Sequence, residues 1–420
     1  MTGGVAAESA SALARRGGRE RLSLALLEAR NELLSRWAQL APAAAAGSPG
    51  PGELEGVRPV LRARQPATDS MARASSDPPR LAARAGWFQE WWLARHVQRS
   101  RGEAADATSP RLPGIEPRAE GWLRRAHAED ADAIREYLGQ TLEQTLDLLG
   151  HAEDDDPGLY FFRLALQHED RMAERLGHLL TPLLPPPRAQ REPIGVPAQR
   201  WRLGSAAGTA GQAAGFVPHG ERWAHEVVVP EFEIDAQCVC WAQYAEFAED
   251  GGYDRQECWS EAGWAWLQKD GRRAPRDVEQ LAGSVLVSRA GQLQRAPTQQ
   301  AAMQVTRHEA EAWCRWAGRR LPTEPEWELA AHTASRRGFV WGDVLEWVAG
   351  TARLFPGADG RVPPGTLDVI VRPEGDDGAR SGVLRGCTSA TPARWRHPKA
   401  RRFAMPHDDR QRSGFRSCAP

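Results

Sequence analysis

The sequence predicts a multi-domain α and α+β molecule: an N-terminal four-helix bundle joined to a C-terminal α+β domain. Three observations carry this. Apolar residues recur at intervals of three and four through four long stretches before residue 180. A proline-rich segment, TPLLPPPRAQREPIGVPAQR (181–200), then stops the helical pattern by removing backbone donors. Beyond it, short β-like pieces alternate with Gly/Pro-rich loops, and 12 of the 17 Trp lie at or after residue 201.

The first helix is expected over ERLSLALLEARNELLSRWAQL (20–40) and the second over LAARAGWFQEWWLARHVQR (81–99). The third is expected over 130–150 and the fourth over GLYFFRLALQHEDRMAERLGHLL (158–180). Each carries the apolar stripe that a bundle buries. The stretch 41–80 contains APAAAAGSPGPGELEG and reads as a mobile low-complexity loop. The expected boundaries are a bundle over 1–180, a linker over 181–200 and a second domain over 201–420. In that second domain HEVVVPEFEID (225–235) and SGVLRG (381–386) read as strands, and two helices are expected over 240–252 and 307–319. Its tryptophans are expected to pin the loops.

Bulk composition excludes more than it selects. With 54 Lys+Arg against 55 Asp+Glu, the net charge of −1 gives no case for nucleic acid or an anionic membrane. No apolar run approaches the length of a membrane span, and the N-terminus lacks a signal-peptide core, so a cytoplasmic location is expected. The six cysteines form no CxxC pair and read as reduced thiols near a core.

Several stretches of the second half are diagnostic in order: VVVPEFEIDAQCVCWAQYAEFAEDGGY (227–253), WSEAGWAW (259–266), HEAEAWCRWAGRRLPTEPEWELAA (308–331), VWGDVLEWVAG (340–350), VLRGCTSATPARWRHP (383–398) and GFRSCA (414–419). Together they resemble the formylglycine-generating-enzyme (sulfatase-modifying-factor) domain, a C-type-lectin-like fold. DPPRLAARAGWFQEWW and LYFFRLALQHEDRMAERL resemble a DinB-type bundle. Bundle plus lectin-like domain resembles the non-haem iron sulfoxide synthases of ergothioneine biosynthesis and their relative, selenoneine synthase. The ending RHPKARRFAMPHDDRQRSGFRSCA looks closer to the selenoneine-synthase branch.

The resemblance implies that Fe(II) and O2 join sulfur from a thiol, or selenium from a selenosugar, to the imidazole C2 of hercynine, a trimethylated histidine betaine. Three histidines are expected to hold the iron. One comes from a helix reading roughly "GHIAWFQE" and two from a helix reading roughly "HExxHxE". Aligned on these, Arg84 stands at the first position, His168 at the second and Met172 at the third, with Glu174 at the final acidic position. A guanidinium repels a dication and a thioether is a weak, soft ligand, so these residues predict poor Fe(II) binding. His178 lies ten residues beyond His168, about 15 Å along a helix and roughly 80° off its face, and is not expected to substitute. Nor is His96, about 18 Å and roughly 120° from position 84. The tyrosine that the synthases place near iron has no counterpart after Tyr253; Tyr244 and Tyr253 read as packing residues. The copper-binding cysteine pair of formylglycine-generating enzymes corresponds to Thr391 and Arg396, which disfavours sulfatase activation.

Each candidate keeps an ordinary structural role beside its functional one. His168 is either a surviving ligand or a satisfied helix histidine, and Met172 reads as core filling. Arg84 is expected to occupy the metal's place and pair with Asp170 or Glu174. Trp87, Phe88, Trp91 and Trp92 form either an aromatic wall for a cationic ligand or bundle core. Arg394, Arg396, Arg401 and Arg402 either clamp a substrate carboxylate or form a solvated basic loop. Three readings stay open: a divergent synthase acting on hercynine, a metal-free binder of a betaine or thiol, and a pseudoenzyme that regulates an active relative.

Overall fold

In the computed structural model the described residues are 10–12, 14–45, 77–180, 183–206, 215–289, 292–357, 362, 365–367, 370 and 380–420. Most of the expected loop, residues 46–76, lies outside them. The first helix runs five residues further than its apolar pattern, α1 being Arg19–Ala45. Four of the five added residues are alanine, the best helix former. Helix α2, Pro78–Gln89, begins with proline where a missing N–H costs nothing. It continues into a π-helical turn, Glu90–Ala94. A short helix α3, Ala119–Arg124, precedes α4, Ala131–Gly150, and α5, Asp156–His178.

Helix α5 is the spine of this half. It packs against α1 and α2, and α4 closes on α2. Leu26, Leu33, Leu138, Leu166 and Leu176 are fully buried along the seams. Arg30 lies inside the same packing, bonded to Glu169, to the Leu138 carbonyl and to Gln89 Oε1 at 2.9 Å. A buried charge is tolerable there because every one of these contacts is made.

The second half begins earlier than its composition suggests. Strand β1 (Ile194–Val196) falls inside the stretch read as linker and β2 (Gln199–Leu203) begins there; they pair with β4 (Phe232–Ile234) and β3 (His225–Val229). Proline spacing marks where helix stops, not where the next domain starts. The two expected helices form as α6, Trp241–Glu249, and α8, Arg307–Trp316. Two more appear, α7 (Glu261–Asp270) and α9 (Glu324–Thr333). Their starts are capped locally: Ser260 accepts from Gly263 N, and Thr323 with Glu326 closes a capping box. A three-stranded sheet joins β5 (Val278–Gln280), β6 (Leu286–Arg289) and β7 (Gln292–Arg295).

The central sheet has the order β10-β9-β8-β11, with β8 Leu345–Trp347, β9 Gly382–Gly386, β10 Arg401–Ala404 and β11 Ser413–Gly414. Tryptophan N–H groups tie loops to it. Trp347 donates to Val305 O at 2.8 Å, Trp327 to Glu346 at 2.8 Å and Trp259 to Gly252 O at 2.9 Å. Tyr244 and Tyr253 share a 2.9 Å hydrogen bond in the same core, and Tyr253 donates to Glu309 at 2.8 Å. All six cysteines are buried free thiols. Among the described residues no helix is long and apolar enough to cross a membrane.

Candidate functional site

Successive residues of a helix point about 100° apart, and α5 sends the three residues of its HED triplet three ways. Glu169 turns into the bundle toward Arg30. Asp170 turns to the second half, accepting from Arg394 Nε at 2.7 Å and Nη2 at 3.3 Å and from Trp395 Nε1 at 2.6 Å. His168 turns to a cavity of about 280 Å³ between α5 and the C-terminal segment.

Arg84, Met172 and Glu174 line that same cavity. The four positions aligned on the iron motif therefore meet, although their helices are 84 residues apart in sequence at Arg84 and His168. Their chemistry is not that of an iron centre. His168 is buried and stacked on Phe88, with ring centroids 3.8 Å apart and planes within 3°. Burial, helped by the charges of Arg84 and Arg175, holds its imidazole neutral well below the usual histidine range. Its Nδ1 is buried without a hydrogen-bond partner.

Glu174 is fully engaged. It accepts from Arg402 Nη2 at 2.8 and 3.0 Å, from Thr388 at 3.1 Å, from Arg171 at 3.3 Å and from Thr391. The expected pairing of Arg84 with Asp170 or Glu174 is not formed, because both carboxylates are held by residues of other elements. Arg84 is instead exposed at the cavity rim. Burial of part of the side chain and the neighbouring charge of Arg80 lower its affinity for its proton.

His178 also lines the cavity. It is tied to Thr388 Oγ1 at 3.1 Å and sits about 15 Å along the helix from His168. His96 is elsewhere, bonded through Nδ1 to Arg111 at 2.7 Å. Among the described residues no three His, Cys, Asp or Glu side chains gather as a metal site. One neutral histidine, a thioether and an arginine do not fit Fe(II), which wants several imidazole or carboxylate donors.

Trp87 and Trp91 stack on each other at 5.2 Å, away from the cavity lining. The cations over Trp91 are the chain's own, Arg95 at 4.7 Å and Arg111 at 5.1 Å. Arg394, Arg396 and Arg401 have their donors spent on the protein. Arg394 holds Asp170 and Glu28, and Arg396 holds the Thr391 and Ser389 carbonyls. Arg401 forks onto Glu324 at 2.7 and 2.8 Å. Arg394 and Arg396 build the loop that clasps α5, and Arg401 ties β10 to Glu324 and to the Gly220 and Arg353 carbonyls. Of that basic group only Arg402 lines the cavity.

Sequence reasoning missed Arg171, Arg175 and Arg410, which complete the lining. The first two follow His168 by three and seven residues, a helical spacing that could have revealed them. Arg410 carried no such signal. It forks onto Asp408 at 2.7 and 2.9 Å. Burial opposes ionisation of Asp408, but Arg410 outweighs it and holds the carboxyl below its ordinary range.

The sulfatase-modifying factor enzyme 1-like domain matches residues 196–361. The hercynine oxygenase of Mycolicibacterium smegmatis is 33% identical over 299 residues, covering 67% of this chain and 67% of that protein. The hercynine oxygenase of Mycolicibacterium thermoresistibile is 39% identical over 153 residues, 34% of each chain. The formylglycine-generating enzyme of Streptomyces coelicolor is 30% identical over 177 residues, 38% of this chain and 53% of that one. The first of these alignments runs over two thirds of both proteins, and on it the chain belongs to the hercynine oxygenase family, the ergothioneine-type sulfoxide synthases.

Proposed function

We propose that this protein serves ergothioneine-type metabolism in the cytoplasm, taking hercynine or a related betaine, and that the family's iron centre has been lost at the position of His168. The helical half is read as a DinB-like bundle retained as scaffold. The observation that carries the reading is the cavity lining. Arg84 and Met172 replace two ligands, and the acidic position, Glu174, is neutralised by Arg402. Iron bound in the family manner would supply O2 activation for joining a thiol or selenosugar to the imidazole C2. The residues here supply none of that coordination; they bind and orient.

A second reading keeps the C–S or C–Se bond-forming reaction, with iron held by other ligands. The 33% identity to a hercynine oxygenase over two thirds of the chain favours it. Elemental analysis separates the two. Protein purified without oxygen and offered Fe(II) should retain no stoichiometric iron, while the Arg84→His/Met172→His variant should gain it. Calorimetry with hercynine should show binding to the natural protein. About one iron per natural chain would overturn the metal-free reading and leave the synthase reading standing.

A further inference from the structure

Strands β3 and β4 follow one another through Pro230 and Glu231, and β2 and β1 pair along one edge of both. The opposite edge is treated differently along its length. Beside β4 it is covered by residues 417–419. Asp235 N donates to Ser417 O at 2.9 Å, Ala419 N donates to Glu233 O at 3.0 Å, and Ile234 faces Cys418 in an antiparallel bridge. Beside β3 no strand covers it: among the described residues no hydrogen bond reaches the backbone of 225–229 from outside the β2 ladder.

That uncovered edge opens on a groove of about 790 Å³. Val228, Val229 and Pro230 line it from the strand side, Cys314 and Arg315 from α8, and Leu321 from the loop that follows α8. Val228 is 74% exposed. Sheet edges are ordinarily blunted with lysine, proline or a covering loop, because their unpaired N–H and C=O groups accept any extended chain. Here a β-branched apolar side chain stands at the edge, beside a largely apolar recess. The charged lining is settled within the protein except at one point. Arg319 holds Asp235 at 3.1 Å and Glu233 at 3.4 Å, Arg320 forks onto Glu326 at 2.8 Å through both terminal nitrogens, and Glu311 takes Arg307 at 2.8 Å. Arg315 is exposed and makes no hydrogen bond or ion pair among the described residues.

We infer that this groove docks an extended peptide of a partner protein, added antiparallel to β3 in line with residues 417–419, alternately apolar, with an acidic side chain set against Arg315. In this mode backbone pairing supplies affinity and the recess selects alternate side chains. The acidic position follows from the unpaired guanidinium, which takes a carboxylate bidentately. Because α8 lines the same groove as β3, the space fits a single chain and not the edge of a second folded copy carrying its own α8. No residue lining the α5 cavity lines this groove, so the inference does not depend on whether iron is bound.

The test is fluorescence anisotropy of the full chain with the labelled peptide EVTVTVE-amide, acidic at both ends so that either alignment presents a carboxylate. Saturable binding with a Kd of about 10–100 μM is expected. Arg315→Glu should weaken it about fivefold and raise the affinity for the basic peptide KVTVTVK-amide by a similar factor. Val228→Lys should weaken both peptides. The peptide EVTPTVE-amide, which lacks the central N–H, should not bind. Both substituted side chains are exposed, and unchanged thermal melting of the two variants checks that the fold is kept. No saturable binding of the acidic peptide, equal binding by Arg315→Glu, or retained binding of the proline peptide overturns the inference. Sedimentation showing a dimer that Val228→Lys dissolves would assign the groove to a second copy. Binding of laurate in place of the peptide would assign it to a fatty-acid-like amphiphile. Either result also overturns the peptide assignment.

Discussion

The central sheet and the α5 cavity both bury arginines, and they treat them in opposite ways. Around the sheet the two fully buried arginines, Arg385 and Arg416, each meet a carboxylate. Arg416 meets Glu346 at 2.5 and 2.8 Å with both side chains fully buried, and Arg385 meets Glu328 at 2.6 Å. Arg416 also donates to the Asp235 and Val340 carbonyls. Beside the cavity Arg402 meets Glu174 and Arg410 meets Asp408, while Arg402 Nε and His168 Nδ1 are buried without a partner. The first arrangement is held on the protein's own carboxylates inside the sheet. The second borders a cavity. The difference shows that one residue type serves the fold in the sheet and lines open space beside α5.

Breaking the closed arrangement should cost most. Glu346→Ala leaves Arg416 buried without its carboxylate and removes the acceptor of Trp327 Nε1. A loss of about 3–5 kcal/mol in denaturant unfolding is expected. A loss under about 1 kcal/mol would mean that water enters the sheet and the comparison fails.

The clasp between the halves should cost less. Asp170→Asn keeps the shape but removes the charge that holds Arg394 and Trp395. About 2 kcal/mol is expected, with faster proteolysis within 387–400. Unchanged proteolysis would show that the loop is held by its other contacts.

His168 sharpens the contrast through pH. Its folded affinity for a proton is below the unfolded value, so the unfolded chain binds the proton more readily. Stability from this residue is therefore retained at neutral pH and falls as pH drops below about 6.5. His168→Leu should lose less stability than the natural protein between pH 7 and pH 5. Parallel pH curves would place His168 in contact with water.

The smallest effect is expected at the rim. Arg84→Ala should change stability by no more than about 0.5 kcal/mol, because the side chain is exposed and no carboxylate loses its partner. A larger loss would show that Arg84 is part of the fold.

Much of the fold was legible because its signals are local. The apolar stripes of α1, α2, α4 and α5 act over a few residues each. Strands β1 and β2 were not legible because they are short and their partners lie about 20 to 40 residues on. The meeting of Arg84, His168, Met172 and Glu174 followed from the family motif. Their chemical state did not.

By itself the sequence determined the long helices of the first half, two of the helices of the second and the order of its family motifs, since these depend on residue type and spacing. Tertiary structure alone decided that Arg394, from 224 residues away, takes Asp170, that Arg402 takes Glu174 and keeps one donor free, and that Arg84 faces the rim. Ion pairing depends on distance and burial in three dimensions, and no local pattern carries either across 200 residues of chain.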